Sequence, residues 1–130
     1  MKTTIRARLN STEDPEKLEK AIKNMFGNIQ ITQLKEGRSI ILQSQLQNNE
    51  GLWILRDRIA RDRIRDSIRS MLSRWSIKEG KVSFHLNRQA AFAGHVSIYH
   101  ANKAPLGPIE VEIDGDPEEI IEHLCGRSTS

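Results

Sequence analysis

Apolar and polar residues alternate in several short stretches of this chain and recur every three to four positions in others, and the two periods separate strands from helices. Residues 3–10 carry Ile5, Ala7 and Leu9 between Arg6 and Arg8, the pattern of a half-buried strand with arginines on its outer face. Asp14 and Pro15 then supply a cap and a first helical residue, and Leu18, Ala21, Ile22, Met25 and Phe26 form one apolar stripe that Gly27 ends. Two short strands are expected at 29–34 and 38–44, with Glu36-Gly37 as a hairpin turn. After Asn48-Asn49-Glu50-Gly51 the longest helix is expected over residues 52–75. Further strands follow at 81–87 (Val82, Phe84 and Leu86 inward), at 95–99 (Val96 and Ile98 inward) and at 109–113, where Glu110, Glu112 and Asp114 point outward. Residues 103–108 read as a loop. Asp116-Pro117-Glu118-Glu119 repeats the start signals of the first helix before Ile120, Ile121 and Leu124.

The resulting order, β-α-β-β-α-β-β-β-α, predicts an α+β fold. Short turns between strands and one polar face on every strand favour a mainly antiparallel or mixed sheet with helices packed on one side. Residues 1–125 are expected to make a single domain, and 126–130 a frayed tail.

The long helix has two apolar faces. At about 100° per residue, Leu52, Leu55 and Ile59 fall within about 60° of one another, while Trp53, Ala60, Ile64, Ile68, Met71 and Trp75 form a second stripe. Two faces need two partners, or a bend that lets one partner serve both. Which face packs on the sheet is open, and Leu52, Leu55 and Ile59 are the expected surface of a homodimer.

Composition changes the picture through charge. The 130 residues carry a formal net charge of +3, distributed unevenly: eight basic against six acidic residues in 1–52, eleven against four in 53–103, and one against seven in 104–130. Seven arginines and no lysine lie between Arg56 and Arg74. Arg58, Arg61, Arg65 and Arg69, spaced by three, four and four, line one helical ridge suited to phosphate contacts. Against this, Asp57, Asp62 and Asp66 are interleaved, and Asp57 stands four residues before Arg61 in the better orientation for an ion pair. Both Trp lie on apolar stripes, so no aromatic platform for stacking bases is expected.

Catalytic and metal chemistry find little support. Cys125 is the only cysteine, read as a core residue, so neither a disulfide within the chain nor a multi-cysteine metal site is expected. The spacings of His85, His95, His100 and His123 match no zinc pattern, the eight glycines form no phosphate loop, and Glu110, Glu112 and Asp114 read as a charged outer strand face. No nucleophile setting is recognisable. Neither an enzyme nor a cofactor is expected. A run of apolar residues long enough for a membrane span or a signal peptide is also missing, which points to a cytoplasmic protein.

At Asn87-Arg88-Gln89-Ala90-Ala91 and Pro105-Leu106-Gly107-Pro108-Ile109, behind the arginine-rich helix, the chain resembles a small family of uncharacterised archaeal proteins. Members of that family look like the large-subunit ribosomal protein that holds 5S rRNA. The resemblance spans residues 1 to about 125 and implies RNA binding, possible dimers, and no catalytic residues that can be carried over. The expected function is therefore non-catalytic RNA or ribonucleoprotein association through Arg58, Arg61, Arg65 and Arg69, with Arg88 and Gln89 as auxiliary contacts. A homodimeric interaction module without nucleic acid is the alternative.

Overall fold

The structure, a computed structural model, describes residues 1–100 and 107–126. Residues 103–106 of the expected loop and 127–130 of the expected tail lie outside the described residues. Among the described residues seven strands and five helices follow the order β1 (Lys2–Leu9), α1 (Pro15–Phe26), β2 (Thr32–Glu36), β3 (Ser39–Leu46), α2 (Glu50–Arg61), α3 (Arg65–Trp75), β4 (Ile77–Lys78), β5 (Lys81–Leu86), α4 (Arg88–Phe92), β6 (Ile98–His100), β7 (Ile109–Asp114) and α5 (Pro117–Cys125). The sheet runs β2-β3-β1-β7-β5-β4, with β6 also paired to β5. Every pairing is antiparallel. The expected α+β class with an antiparallel sheet therefore holds.

Local chemistry sets the helix ends. The Asp14 side chain accepts the Glu16 N–H at 3.0 Å, and Asp116 accepts that of Glu119 at 3.1 Å. Gly27, at φ +86°, closes α1 by donating its N–H to the Lys23 carbonyl at 2.8 Å. Gly51 serves a different need: a Cβ there would lie 3.1 Å from the Phe26 carbonyl oxygen and would push Leu46 Cδ1 aside, so glycine lets α2 approach the end of α1 without displacing either.

Alternation on the strands splits the sheet into two faces. Ile5 and Ala7, Val82, Phe84 and Leu86, and Ile109, Val111 and Ile113 are buried under the helices. The opposite, open face carries Thr4, Arg6 and Arg8, Glu110, Glu112 and Asp114, and Lys81, Ser83 and His85.

The expected helix over 52–75 is two helices. The chain breaks at residues 62–64, where Arg63 adopts φ +59° and is the only described non-glycine residue with positive φ. A straight helix would turn one of its apolar stripes away from the core. The break lets Leu52, Leu55 and Ile59 of α2, and Ile68 and Leu72 of α3, all pack inward. The bend resolves the two-stripe problem, and it overturns the expected dimer patch, since Leu52, Leu55 and Ile59 are 0% exposed within one protomer. The second stripe is also corrected, because Trp53 and Trp75, read as apolar-stripe residues, are 49% and 58% exposed.

Candidate nucleic-acid interface

The break divides the expected arginine ridge. Arg58 and Arg61 end α2, Arg65 and Arg69 begin α3, and the four no longer share one face or one partner. Arg58 donates through Nε to the Asn24 carbonyl at 3.1 Å, tying α2 to α1. Arg69 donates to Glu122 Oε1 at 3.2 Å and to the Gly126 carbonyl, placing a cation at the C-terminus of α5, where the last carbonyls are exposed. Arg56 approaches the same turn and lies over the Trp53 ring at 4.8 Å.

Arg88 is a clasp. Its side chain is only 10% exposed, and it donates to the carbonyls of Arg8 (2.9 Å), Gly107 and Pro108 (3.4 Å) and to the Glu13 carboxylate. The Asn87 side chain caps the unexpected short helix α4 by accepting the Ala90 N–H at 2.9 Å. Gln89 is exposed beside a cleft of about 660 Å³ between α1 and α4, lined also by Asn10, Lys17 and Phe92. The motif around Arg88 thus fixes three chain segments together while leaving Gln89 at the surface.

Exposed basic side chains without a partner occur at the α2–α3 elbow, as they do at Arg8, Arg38 and Arg74. Arg63 and Arg65 make no side-chain hydrogen bond or ion pair with the described residues, and both are exposed. Arg61 donates to the Gly94 carbonyl with half of its side chain in solvent. Asp62, the interleaved acid, is turned inward: its side chain is 15% exposed, accepts the Val96 N–H at 2.9 Å, and lies 3.4 Å from His95 Nδ1 and 3.7 Å from Arg61 Nε. Burial works to raise the Asp62 pKa, but the Val96 N–H, His95 and Arg61 together hold it below the ordinary carboxylate value. Asp62 is therefore engaged by its own chain, whereas Asp57 and Asp66 remain exposed and the expected Asp57–Arg61 pair is replaced by Asp62–Arg61.

Among the described residues no group of three or more His, Cys, Asp or Glu side chains is arranged to hold a metal ion. Burial, opposed by Arg69 and Arg65, raises the Cys125 thiol to about 11. No helix among the described residues is long and apolar enough to cross a membrane.

A family model described as RNA binding matches residues 2–114. The chain belongs to that family. Its relatives include UPF0201 proteins of the archaea Pyrobaculum aerophilum, 35% identical over 119 residues covering 90% of this chain and 83% of the relative, and Methanopyrus kandleri, 34% identical over 118 residues covering 87% and 74%. The crystal structure of a UPF0201 protein from Methanococcus jannaschii superposes with a TM-score of 0.81 at 26% identity, over 100% of this chain and 96% of the other. A Sulfolobus solfataricus protein shares the fold alone, with a TM-score of 0.70 at 17% identity over 96% and 97% of the two chains.

Proposed function

We propose that the protein binds RNA without catalysing a reaction, and that the phosphates meet the α2–α3 elbow through Arg63 and Arg65, with Arg61 and His95 alongside. Membership of the RNA-binding family supports the partner class, and structured RNA of the type held by the 5S rRNA-binding ribosomal protein is the first candidate. The observation that carries the assignment is Arg63: an arginine held at φ +59° between two helices, exposed and unpaired, with the neighbouring Asp62 drawn into the fold. Left-handed backbone at a side-chain-bearing residue costs on the order of 1 kcal/mol, and such strain gathers at binding sites. Arg58, Arg69 and Arg88 are assigned to holding the fold, because each donates to a backbone carbonyl of a distant segment.

The test is a titration of a labelled RNA hairpin, single-stranded RNA and duplex DNA at several salt concentrations, with wild type and Arg63→Ala/Arg65→Ala. Each neutralised phosphate contributes about −0.7 to −0.9 to the slope of log affinity against log salt, so the double variant should flatten that slope by roughly 1.5. Binding weaker than about 10⁻⁴ M at physiological salt rejects the RNA reading. Tight binding with an unchanged slope rejects the elbow.

One observation favours a second reading, a homodimeric module: Trp75 and Ile77 are 58% and 45% exposed beside the two-residue strand β4. Sedimentation of wild type and Trp75→Glu at micromolar concentration decides it, a wild-type monomer rejecting the dimer.

A further inference from the structure

The open face of the sheet holds a hollow of about 340 Å³, lined by Thr4, Arg6, Lys78, Ser83, Phe84, His85, Glu110, Val111 and Glu112. Strand register explains its chemistry. Arg6 on β1 is paired with Glu110 on β7, and Glu110 with His85 on β5, so a guanidinium, a carboxylate and an imidazole stand in one straight row across three adjacent strands. Directly opposed side chains on neighbouring strands are about 4.5–5.5 Å apart at Cβ.

The row is underused by the fold. Arg6 pairs with Glu36 through one terminal nitrogen, while its Nε has no hydrogen-bond partner. His85 Nδ1 has none either. Glu110 is exposed and makes no hydrogen bond or ion pair with the described residues. Its neighbour Glu112, by contrast, is tied to Lys81 at 3.1 Å. Buried polar atoms without a partner, such as Arg6 Nε and His85 Nδ1, are uncommon in a folded protein, and between them the exposed Glu110 carboxylate is open to a ligand.

We infer that this hollow receives one unpaired keto base, guanine or uracil, of a single-stranded RNA segment. The inference rests on the RNA reading but uses the face of the molecule opposite the helical layer. Guanine and uracil both present a ring N–H beside a carbonyl oxygen. A carboxylate accepts the first and a guanidinium donates to the second, which is the order in which Glu110 and Arg6 stand. Adenine and cytosine place a bare ring nitrogen at the central position. Its lone pair would face the Glu110 carboxylate, leaving two acceptors opposed and a desolvated carboxylate unpaired. The third group, His85, completes either edge: a neutral imidazole offers an acceptor to the guanine amino group or, in its other tautomer, a donor to the second uracil carbonyl. Burial lowers the His85 pKa against the pull of Glu110, which favours that neutral form. Lys78, at the rim, supplies a cation for the adjoining phosphate. Duplex RNA hides these base edges, so the hollow selects unpaired segments.

The test is fluorescence anisotropy at one fixed salt concentration with labelled U10, A10, C10, (GU)5 and (AC)5 RNA and with 5′-UMP as competitor. The proteins are wild type, Glu110→Gln and Arg63→Ala/Arg65→Ala. Wild type should bind U10 and (GU)5 about tenfold more tightly than A10, C10 and (AC)5. Glu110→Gln, a change at an exposed position, should erase that ratio, and Arg63→Ala/Arg65→Ala should weaken all five RNAs alike while keeping it. RNA binding with no keto preference, or with a preference that survives Glu110→Gln, overturns the hollow and leaves the RNA reading standing. 5′-UMP that binds as tightly as U10 overturns the RNA segment as occupant. Failure of all five oligomers and of structured RNA to bind overturns both readings.

Discussion

Asp62 and Val96 are joined by a 2.9 Å hydrogen bond in which the carboxylate that ends α2 accepts a backbone N–H from the segment leading into β6. The bond draws an acid out of the helical surface and fixes the elbow against the loop after α4. A charge-assisted hydrogen bond of this kind contributes about 1.5–3 kcal/mol. Asp62→Ala should therefore lower stability by about 2 kcal/mol at pH 7 in urea unfolding. The folded-state pKa of Asp62 lies below its unfolded value. Its contribution is thus complete above the ordinary aspartate range and fades as pH falls through the lowered value. The gap between wild type and variant should narrow as pH falls below the ordinary aspartate range; a gap that does not narrow with acid contradicts the assignment.

Removal of the Arg88 side chain should leave the carbonyls of Arg8, Gly107 and Pro108 and the Glu13 carboxylate without their shared donor. Breaking a buried charge network costs about 3–5 kcal/mol. We expect Arg88→Ala to lose about 3 kcal/mol, allowing for the partial exposure of Glu13, and Arg88→Lys to recover only part of it, because an ammonium cannot span the same fork. Thermal melts of the two variants check this. An Arg88→Ala protein with wild-type Tm removes the clasp.

Two histidines set the response to mild acid. Burial lowers the pKa of His85, opposed by Glu110, and burial together with Arg56 lowers that of His123. The unfolded chain therefore binds protons near pH 6.5 that the folded chain refuses, and stability falls as pH drops below about 6.5. Urea midpoints at pH 7.5, 6.0 and 5.0 should decrease in that order, and His123→Gln should shrink the decrease. A flat profile for wild type goes against it.

Cys125 should be inert in the native protein. With its thiol raised to about 11 and its side chain buried, the reactive thiolate is about a thousandth of the population at pH 8. A disulfide reagent should label it slowly in buffer and at once in denaturant. Equal rates in both conditions mean that α5 does not shield it.

Much of the fold was legible because strand and helix periods differ and caps are written in residue types. Asp14-Pro15 and Asp116-Pro117 mark two helix starts that the structure reproduces. Boundaries moved where pattern was weak: the strand expected at 29–34 lies at Thr32–Glu36, and Ile77–Lys78 and Arg88–Phe92 are elements too short for a period to announce. The two apolar stripes of 52–75 announced either a second partner or a bend, and only packing could choose. Arg58, Arg69 and Arg88 look like Arg63 and Arg65 in sequence. What separates them is which backbone carbonyls come within reach, a property of tertiary structure. The row Arg6, Glu110 and His85 was equally hidden, since it joins strands far apart in sequence and depends on register.

The place of β1 at the middle of the sheet has a consequence for synthesis. Residues 2–9 leave the ribosome well before one of their two partners, β7, whose Asp114 lies opposite Lys2. At about 5–20 residues per second, the nascent chain carries β1 with one edge of N–H and C=O groups unpaired for roughly 5–20 s. The hairpin of β2 and β3 can dock on the other edge meanwhile, but the layer of hydrophobic contacts beneath β1, β7 and β5 closes only once β7 has been made. Closure of this sheet therefore waits on β7, and the half-made sheet is the species that a nascent-chain chaperone would meet.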